Sequence, residues 1–268
     1  MRSIGKEHET DRTIADPTAN PAKNLVGSHE AYDRYVSTHF ASIHKQGPAA
    51  AESDRRVWRD YLGSLLPADR SAHIADVGCG SGSFLYFLKR EGYVNICGVD
   101  RSPEQINLAK RHGIEGAMQD DAVNFLSSNL AAFDCVVSVD VLEHMERRET
   151  LALLHAMYFA LRPGGRLILR TANGSGPFAG HMRYSDFTHV QAFTVSSISQ
   201  VLRLTNFDRI EVLPEGPRVH GPVSAVRWIL WQAVNAALRI YLAVETGQIQ
   251  ARIFTQNLIA VAYRPSGG

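Results

Sequence analysis

Between residues 76 and 82 the chain reads Asp76-Val77-Gly78-Cys79-Gly80-Ser81-Gly82, with glycines at alternate positions and an acid two residues before the first. A side chain at any of these glycines would hold a ligand away from the backbone, and a helix starting just after them would present amides to an anionic group. The spacing is GxGxG, unlike the GxGxxG of nicotinamide and flavin sites. Asp100, with Arg101 beside it, follows about twenty residues later, where a carboxylate can accept two hydrogen bonds from a ribose diol. Asp120, Asp121 and Ala122 come next. An acid there can accept from an adenine exocyclic amine while the neighbouring backbone nitrogen meets the ring edge. Each acid alone could equally be a helix cap or a surface charge; together, at three successive strand ends, they describe a nucleotide-type cleft.

Such a cleft needs a sheet edge to assemble it. From 71 to 169 short β-branched runs alternate with helical patterns, as in repeated βα units whose parallel sheet is covered on both faces. Strands are expected over 72–77, 94–99, 115–118, 133–139 and 166–170, and helices over 83–91, 103–112, 122–128 and 148–161. Downstream, Thr194 opens a helix over 194–204, and strands over 207–213 and 258–263 bring the sheet to seven. Upstream, Val57, Trp58, Tyr61, Leu62, Leu65 and Leu66 share a helical face that Pro67 ends. A second amphipathic segment over 32–44 either caps a ligand cleft or packs on the sheet edge. The expected organisation is a disordered or mobile tail over 1–24, a helical cap over 25–67, and one α/β domain over 68–268 with a helical insertion at about 214–255.

Composition limits the partners. With 268 residues, 45% apolar and 21% charged, the chain can bury a sizeable core, and its formal charge of +1 gives no overall pull toward nucleic acid. Cys79, Cys97 and Cys135 sit in apolar or glycine-rich stretches and read as reduced thiols, and the first residues lack the apolar core of a signal peptide. The expected location is therefore the cytoplasm, with a peripheral membrane association left open by a helix described below.

At this point the chain resembles the class I S-adenosylmethionine-dependent methyltransferases. The resemblance runs through the loop from Asp76 to Gly82, Asp100, Asp121-Ala122, the stretch from Phe133-Asp134 to His144, and Arg162-Pro163-Gly164-Gly165. It implies a Rossmann-like seven-stranded sheet, mostly parallel with the last strand antiparallel, and helices on both faces. It further implies S-adenosylmethionine as cofactor and S-adenosylhomocysteine as product. Asp76, Gly78, Cys79, Gly80 and Gly82 would hold the methionine end, Asp100 and Arg101 the ribose, Asp121 and Ala122 the adenine, and Asp140 would lie beside the methionine portion.

Methyl transfer to a hydroxyl also needs a base. His144, at the end of Asp140-Val141-Leu142-Glu143-His144, is the candidate, though Val-Leu-Glu-His is widespread in this family and equally reads as structural. Asp140, Glu143 and His144 are similar to the acid-x-x-Glu-His of quinone-pathway O-methyltransferases, where a divalent metal can bind; Asp replaces Glu here, and no metal ligand is assigned. Asp186 and His189, in Tyr184-Ser185-Asp186-Phe187-Thr188-His189, are the further catalytic candidates. The pattern resembles methyltransferases of polysaccharide and glycolipid pathways. Asp186, His189, Tyr184 and Phe187 could bind a hydroxyl-rich acceptor; alternatively Asp186 and Thr188 organise a turn and Thr194 caps the next helix.

Over 224–244, Ser224, Arg227, Gln232, Asn235 and Arg239 form one stripe of an otherwise apolar helix, suited to a membrane interface, a dimer partner or its own domain. The leading expectation is O-methylation of a sugar or glycan-linked intermediate. The alternatives are a phenolic or quinone-type small metabolite, and a partner subunit that binds the cofactor without turnover. Nucleic acid is not expected as acceptor, because the chain shows neither a basic arm nor an Asn-Pro-Pro-aromatic motif.

Overall fold

The computed structural model of the chain describes residues 48–248 and 252–267. The tail expected over 1–24 and the helix expected over 32–44 lie outside them.

A seven-stranded sheet runs in the order β3-β2-β1-β4-β5-β7-β6. Its strands are β1 (Ile74–Val77), β2 (Ile96–Asp100), β3 (Ala117–Gln119), β4 (Phe133–Val139), β5 (Leu161–Ala172), β6 (Asp208–Pro214) and β7 (Asn257–Tyr263). β7 is antiparallel to both neighbours, while the pairs among β1 to β5 are parallel. The helices are α1 (Pro48–Tyr61), α2 (Ser83–Arg90), α3 (Pro103–Arg111), α4 (Ala122–Ser127), α5 (Arg147–Ala160), α6 (Ala179–Tyr184), α7 (Val195–Leu204) and α8 (Pro222–Thr246).

The apolar runs of β1 and β4 follow from burial on both faces, and residues of alternate parity feed two cores. Ala75, Val77 and Val136 pack with Leu154 and Met157 of α5 and Leu202 of α7. Ile74, Cys135 and Val137 pack on the other face with Phe84, Phe87 and Leu88 of α2 and with Leu62 just past α1. All three cysteines are free. Local signals set the helix starts: Ser102 accepts from Gln105 N with Pro103 at the first turn, and Thr194 accepts from Ser197 N.

Three segments differ from their sequence pattern. The helical face expected to run up to Pro67 is not one α-helix, since α1 stops at Tyr61 and a 3-10 turn over Gly63–Leu65 follows it. β5 begins at Leu161, because Leu161 already pairs with Phe133 before the Pro163-Gly164-Gly165 irregularity, after which Arg166 pairs with Cys135. The polar segment after β5 contains α6, a short helix with no buried residue and hence no apolar periodicity to announce it. The topology brings the ends of β1, β2, β3 and β4 to one edge, where ligands of open α/β sheets bind.

Leu154 is fully buried between α5 and the sheet. Leu154→Ala is expected to cost about 2–5 kcal/mol, read as a lower urea midpoint at unchanged slope.

Candidate active site

The loop after β1 is built from backbone conformations that side chains resist. Gly78, Gly80 and Gly82 have φ of +78°, +52° and +81°. A Cβ at Gly78 would lie 2.2 Å from Val141 Cγ2, so the β1 and β4 ends meet there too closely for any larger residue. At Gly80 a Cβ would meet only the Gln105 side chain, at 3.8 Å, leaving the loop backbone open to a ligand.

Asp100 holds this loop in place. Its Oδ2 accepts from Gly80 N at 2.8 Å and its Oδ1 from Ser102 N at 2.8 Å, joining the β1 and β2 ends through one carboxylate. Burial raises the Asp100 carboxyl, partly offset by these two bonds. Beneath the loop, Cys79 packs against Gly98 of β2, where a Cβ would stand 2.7 Å from Cys79 Cβ. Gly98 is thus a requirement of the site that no motif spacing reveals.

Among the described residues, two buried side-chain acceptors have no hydrogen-bond partner, Asp76 Oδ2 and Gln105 Oε1, and both belong to the surroundings of this loop. Burial, with the Asp100 charge adding to it, pushes the Asp76 carboxyl up to about 8. An acid in that state is poised to receive a cationic donor. The two orphaned acceptors and the open glycine backbone fit the aminocarboxylate end of S-adenosylmethionine. Gln105, on α3 and invisible as a motif, joins the candidate cofactor residues.

Asp121 sits at the β3 end as the cap of α4, its Oδ1 accepting from Val123 N at 3.0 Å and Asn124 N at 3.1 Å. The cap also fixes the carboxylate at the strand end, with acceptor capacity left for a ligand. Arg101, half-buried, follows Asp100, and Ala122 opens α4. Asp140 takes a strained φ of +54° and forms an ion pair with Arg170, which also binds Glu215. Asp140 therefore answers Arg170, and the acid-x-x-Glu-His trio suggested by sequence is not assembled around its carboxylate.

The structure brings His144, Asp186 and His189 together. Thr188 Oγ1 donates to Asp186 Oδ1 at 2.6 Å, so at 2.9 Å from His144 Nδ1 it acts as acceptor, and Nδ1 of the neutral ring carries the proton. His189 Nδ1 donates to the Met182 carbonyl at 2.8 Å. The neutral His144 ring thus has its lone pair on Nε2. The two rings meet edge to face, their centroids 4.6 Å apart. Burial, then the neighbouring His189, lowers His144 to about 4, keeping it neutral at physiological pH. Asp186 also accepts from Thr188 N at 2.8 Å, so the turn anticipated as an alternative exists and is itself what orients His144. Thr194 caps α7, and Tyr184 and Phe187 are 77% and 97% exposed, facing solvent rather than forming an aromatic wall.

Glu143 ties this segment to the sheet. Its carbonyl accepts from Val190 N and Gln191 N, and its side chain accepts from Thr171 Oγ1 at 2.8 Å. Burial, then the Asp140 charge, pushes its carboxyl up to about 8. One ligand atom each from Glu143, His144 and His189 lies within 4.8 Å of the others, a donor set that could hold a divalent ion. Thr171, Thr188 and the Met182 carbonyl would be its outer partners.

Comparison with known proteins shows the family and the fold. A family profile described as a methyltransferase domain matches residues 50–212. A ubiquinone biosynthesis O-methyltransferase of Xylella fastidiosa is 34% identical over 119 residues, covering 42% of this chain and 47% of that relative. The match thus spans about half the length of the curated relative. Among solved structures, an S-adenosylmethionine-dependent methyltransferase from Archaeoglobus fulgidus superposes with a TM-score of 0.59 at 18% identity, covering 80% of this chain and 94% of that one. A Haemonchus contortus phosphoethanolamine N-methyltransferase 2 in complex with S-adenosyl-L-methionine gives 0.59 at 17% identity, covering 91% and 61%. At these identities the two structures attest the fold alone.

Gly78→Ala is expected to lower S-adenosylhomocysteine affinity by at least about tenfold in calorimetric titration, since it adds both a clash with Val141 and a strained φ. Combining it with Val141→Ala should recover only part of that loss.

Proposed function

The chain belongs to the class I S-adenosylmethionine-dependent methyltransferases, and on that footing we propose that it methylates the hydroxyl oxygen of a phenolic or quinone-type small acceptor. When bound, the cofactor supplies an electrophilic methyl group. The observation that carries the reading is the Asp186–Thr188–His144 chain, which fixes the tautomer of His144 and places its Nε2 lone pair next to His189 at the β4 end. In this reading His144 is the base that takes the acceptor hydroxyl proton, and Asp186 and Thr188 are positioning residues. His189, its ring centroid 4.6 Å from that of His144, lines the place the acceptor would take.

The balance of polar groups favours a phenolic acceptor over a sugar. A base as weak as this favours the more acidic of the two hydroxyl types, and phenols ionise near pH ~10, well below aliphatic alcohols. A sugar would need several directional partners, yet Asp186 is engaged by Thr188, and Arg183 by the carbonyls of His189 and Val190. The O-methyltransferase name of the 34% identical relative supports the same choice. A sugar or glycan-linked acceptor remains the second reading, supported by the Asp-x-Thr-His pattern.

Turnover with labelled cofactor should appear on catechols and hydroxyquinones and not on nucleotide sugars or lipid-linked glycans. Turnover confined to the glycans reverses the preference; cofactor binding with no turnover on either panel leaves a non-catalytic subunit. His144→Ala should lower kcat about 10²- to 10⁴-fold with cofactor affinity retained.

The working form of His144 is neutral, so activity is lost as pH falls and protonates it. The acid limb of kcat/KM should therefore fall near pH 4 rather than near the ~6.5 of an ordinary imidazole. Asp186→Asn, which alters the Thr188 contact, should shift that limb.

A further inference from the structure

The helix α8 is apolar on the side it turns to solvent as well as over much of the side it turns to the domain. At 100° per residue, Ser224, Trp231, Asn235, Leu238 and Leu242 share one side, and these are the residues half-buried toward the domain. The opposite side carries Val226, Ile229, Leu230, Ile240 and Val244, exposed by 57, 59, 62, 65 and 83%. No charged residue interrupts that side; Arg227 and Arg239 stand at its margins. None of the 25 residues of α8 is buried. Isolated exposed apolar side chains are ordinary, but a continuous apolar stripe about 27 Å long, on a helix of about 37 Å, calls for a covering surface.

The surroundings of its first turn identify that surface. Between α1 and the chain entering α8 lies a cleft of about 410 Å³, lined by Arg56, Arg218 and Arg227 with His220, Glu52 and Asp60. Three guanidiniums thus face two carboxylates, of which Glu52 is also bound by Arg55 at 2.9 Å, so the lining carries a positive excess. The N-terminus of a 25-residue helix adds positive potential at the same place. A cationic cleft at one end of an apolar stripe that no described residue covers is complementary to anionic headgroups above acyl chains.

We infer that α8 lies in the surface of an anionic lipid bilayer, with its outward apolar side at the acyl boundary and the Arg56–Arg218–Arg227 cleft on lipid headgroups. A second copy of the chain fits less well. One helix side about 37 Å by 10 Å presents some 370 Å², under half of the ~800 Å² per partner of a standard interface. Spanning is not the mode, because among the described residues no helix is long and apolar enough to cross a membrane. The inference does not depend on the acceptor being phenolic, since vesicle binding is measured without turnover.

The test is flotation of the full chain with vesicles of phosphatidylcholine alone or mixed with phosphatidylglycerol, at low and high salt. The native chain should float with the anionic vesicles and be released by salt. Ile229→Glu combined with Ile240→Glu, both at exposed positions, should weaken binding at least about tenfold with an unchanged melting curve. Arg218→Ala with Arg227→Ala should remove the preference for anionic vesicles. Absence of flotation by the native chain, or undiminished flotation by the glutamate variant, overturns the proposal. So does a concentration-dependent dimer, without vesicle binding, that the glutamate variant dissociates.

Discussion

One carboxylate holds the site together. Asp100 takes the amide of Gly80 on one oxygen and that of Ser102 on the other, so the loop leaving β1 and the loop leaving β2 share an anchor. The glycines make this possible, because the backbone turns through left-handed angles at 78, 80 and 82 and passes within reach of Val141 and Ile114 without side chains of its own. Gly98 extends the same constraint to the neighbouring strand, leaving room for Cys79 under the loop. What results is an open stretch of backbone beside two buried acceptors that no described residue satisfies. Unpaired buried polar atoms are costly, and their persistence at one locus is the physical mark of a ligand site.

The acceptor side is built by different means. No glycine geometry organises it; a buried glutamate does, since Glu143 binds the 190–191 backbone through its carbonyl and Thr171 through its carboxyl. With the segment after α6 drawn against the end of β4, Thr188 and His189 fall on either side of His144. Two groups that could titrate are thereby kept close to neutral, since burial raises Glu143 and lowers His144, and the contact with Thr188 fixes where the His144 ring proton sits. A neutral, tautomerically ordered pocket beside a cationic cofactor is consistent with proton removal from an acidic hydroxyl.

α8 follows neither logic. Its composition would allow it to pack apolar side down, yet the residues turned toward the domain include Ser224 and Asn235 while valines and isoleucines face outward. The domain core is already complete on both faces of the sheet without it.

The order of strands and helices, the seven-stranded sheet and the donor-binding loop were all legible in the chain itself, because they rest on local rules. Alternation of apolar residues, caps such as Ser102 and Thr194, and glycines at fixed spacing act over a few residues and survive in the linear text. The short helix α6 escaped because it buries nothing and so leaves no period. Partner choice was decided only by the tertiary structure. Asp140, read as a cofactor or metal acid, pairs with Arg170 because β4 and β5 end side by side. His144 meets Thr188, 44 residues away, because Glu143 pins the intervening segment. Gly98 and Gln105 entered the site through crowding and burial, quantities that exist only once strands and helices are packed. The face that α8 shows to solvent was likewise a matter of packing, since periodicity defines two sides of a helix but not which one the rest of the protein will cover.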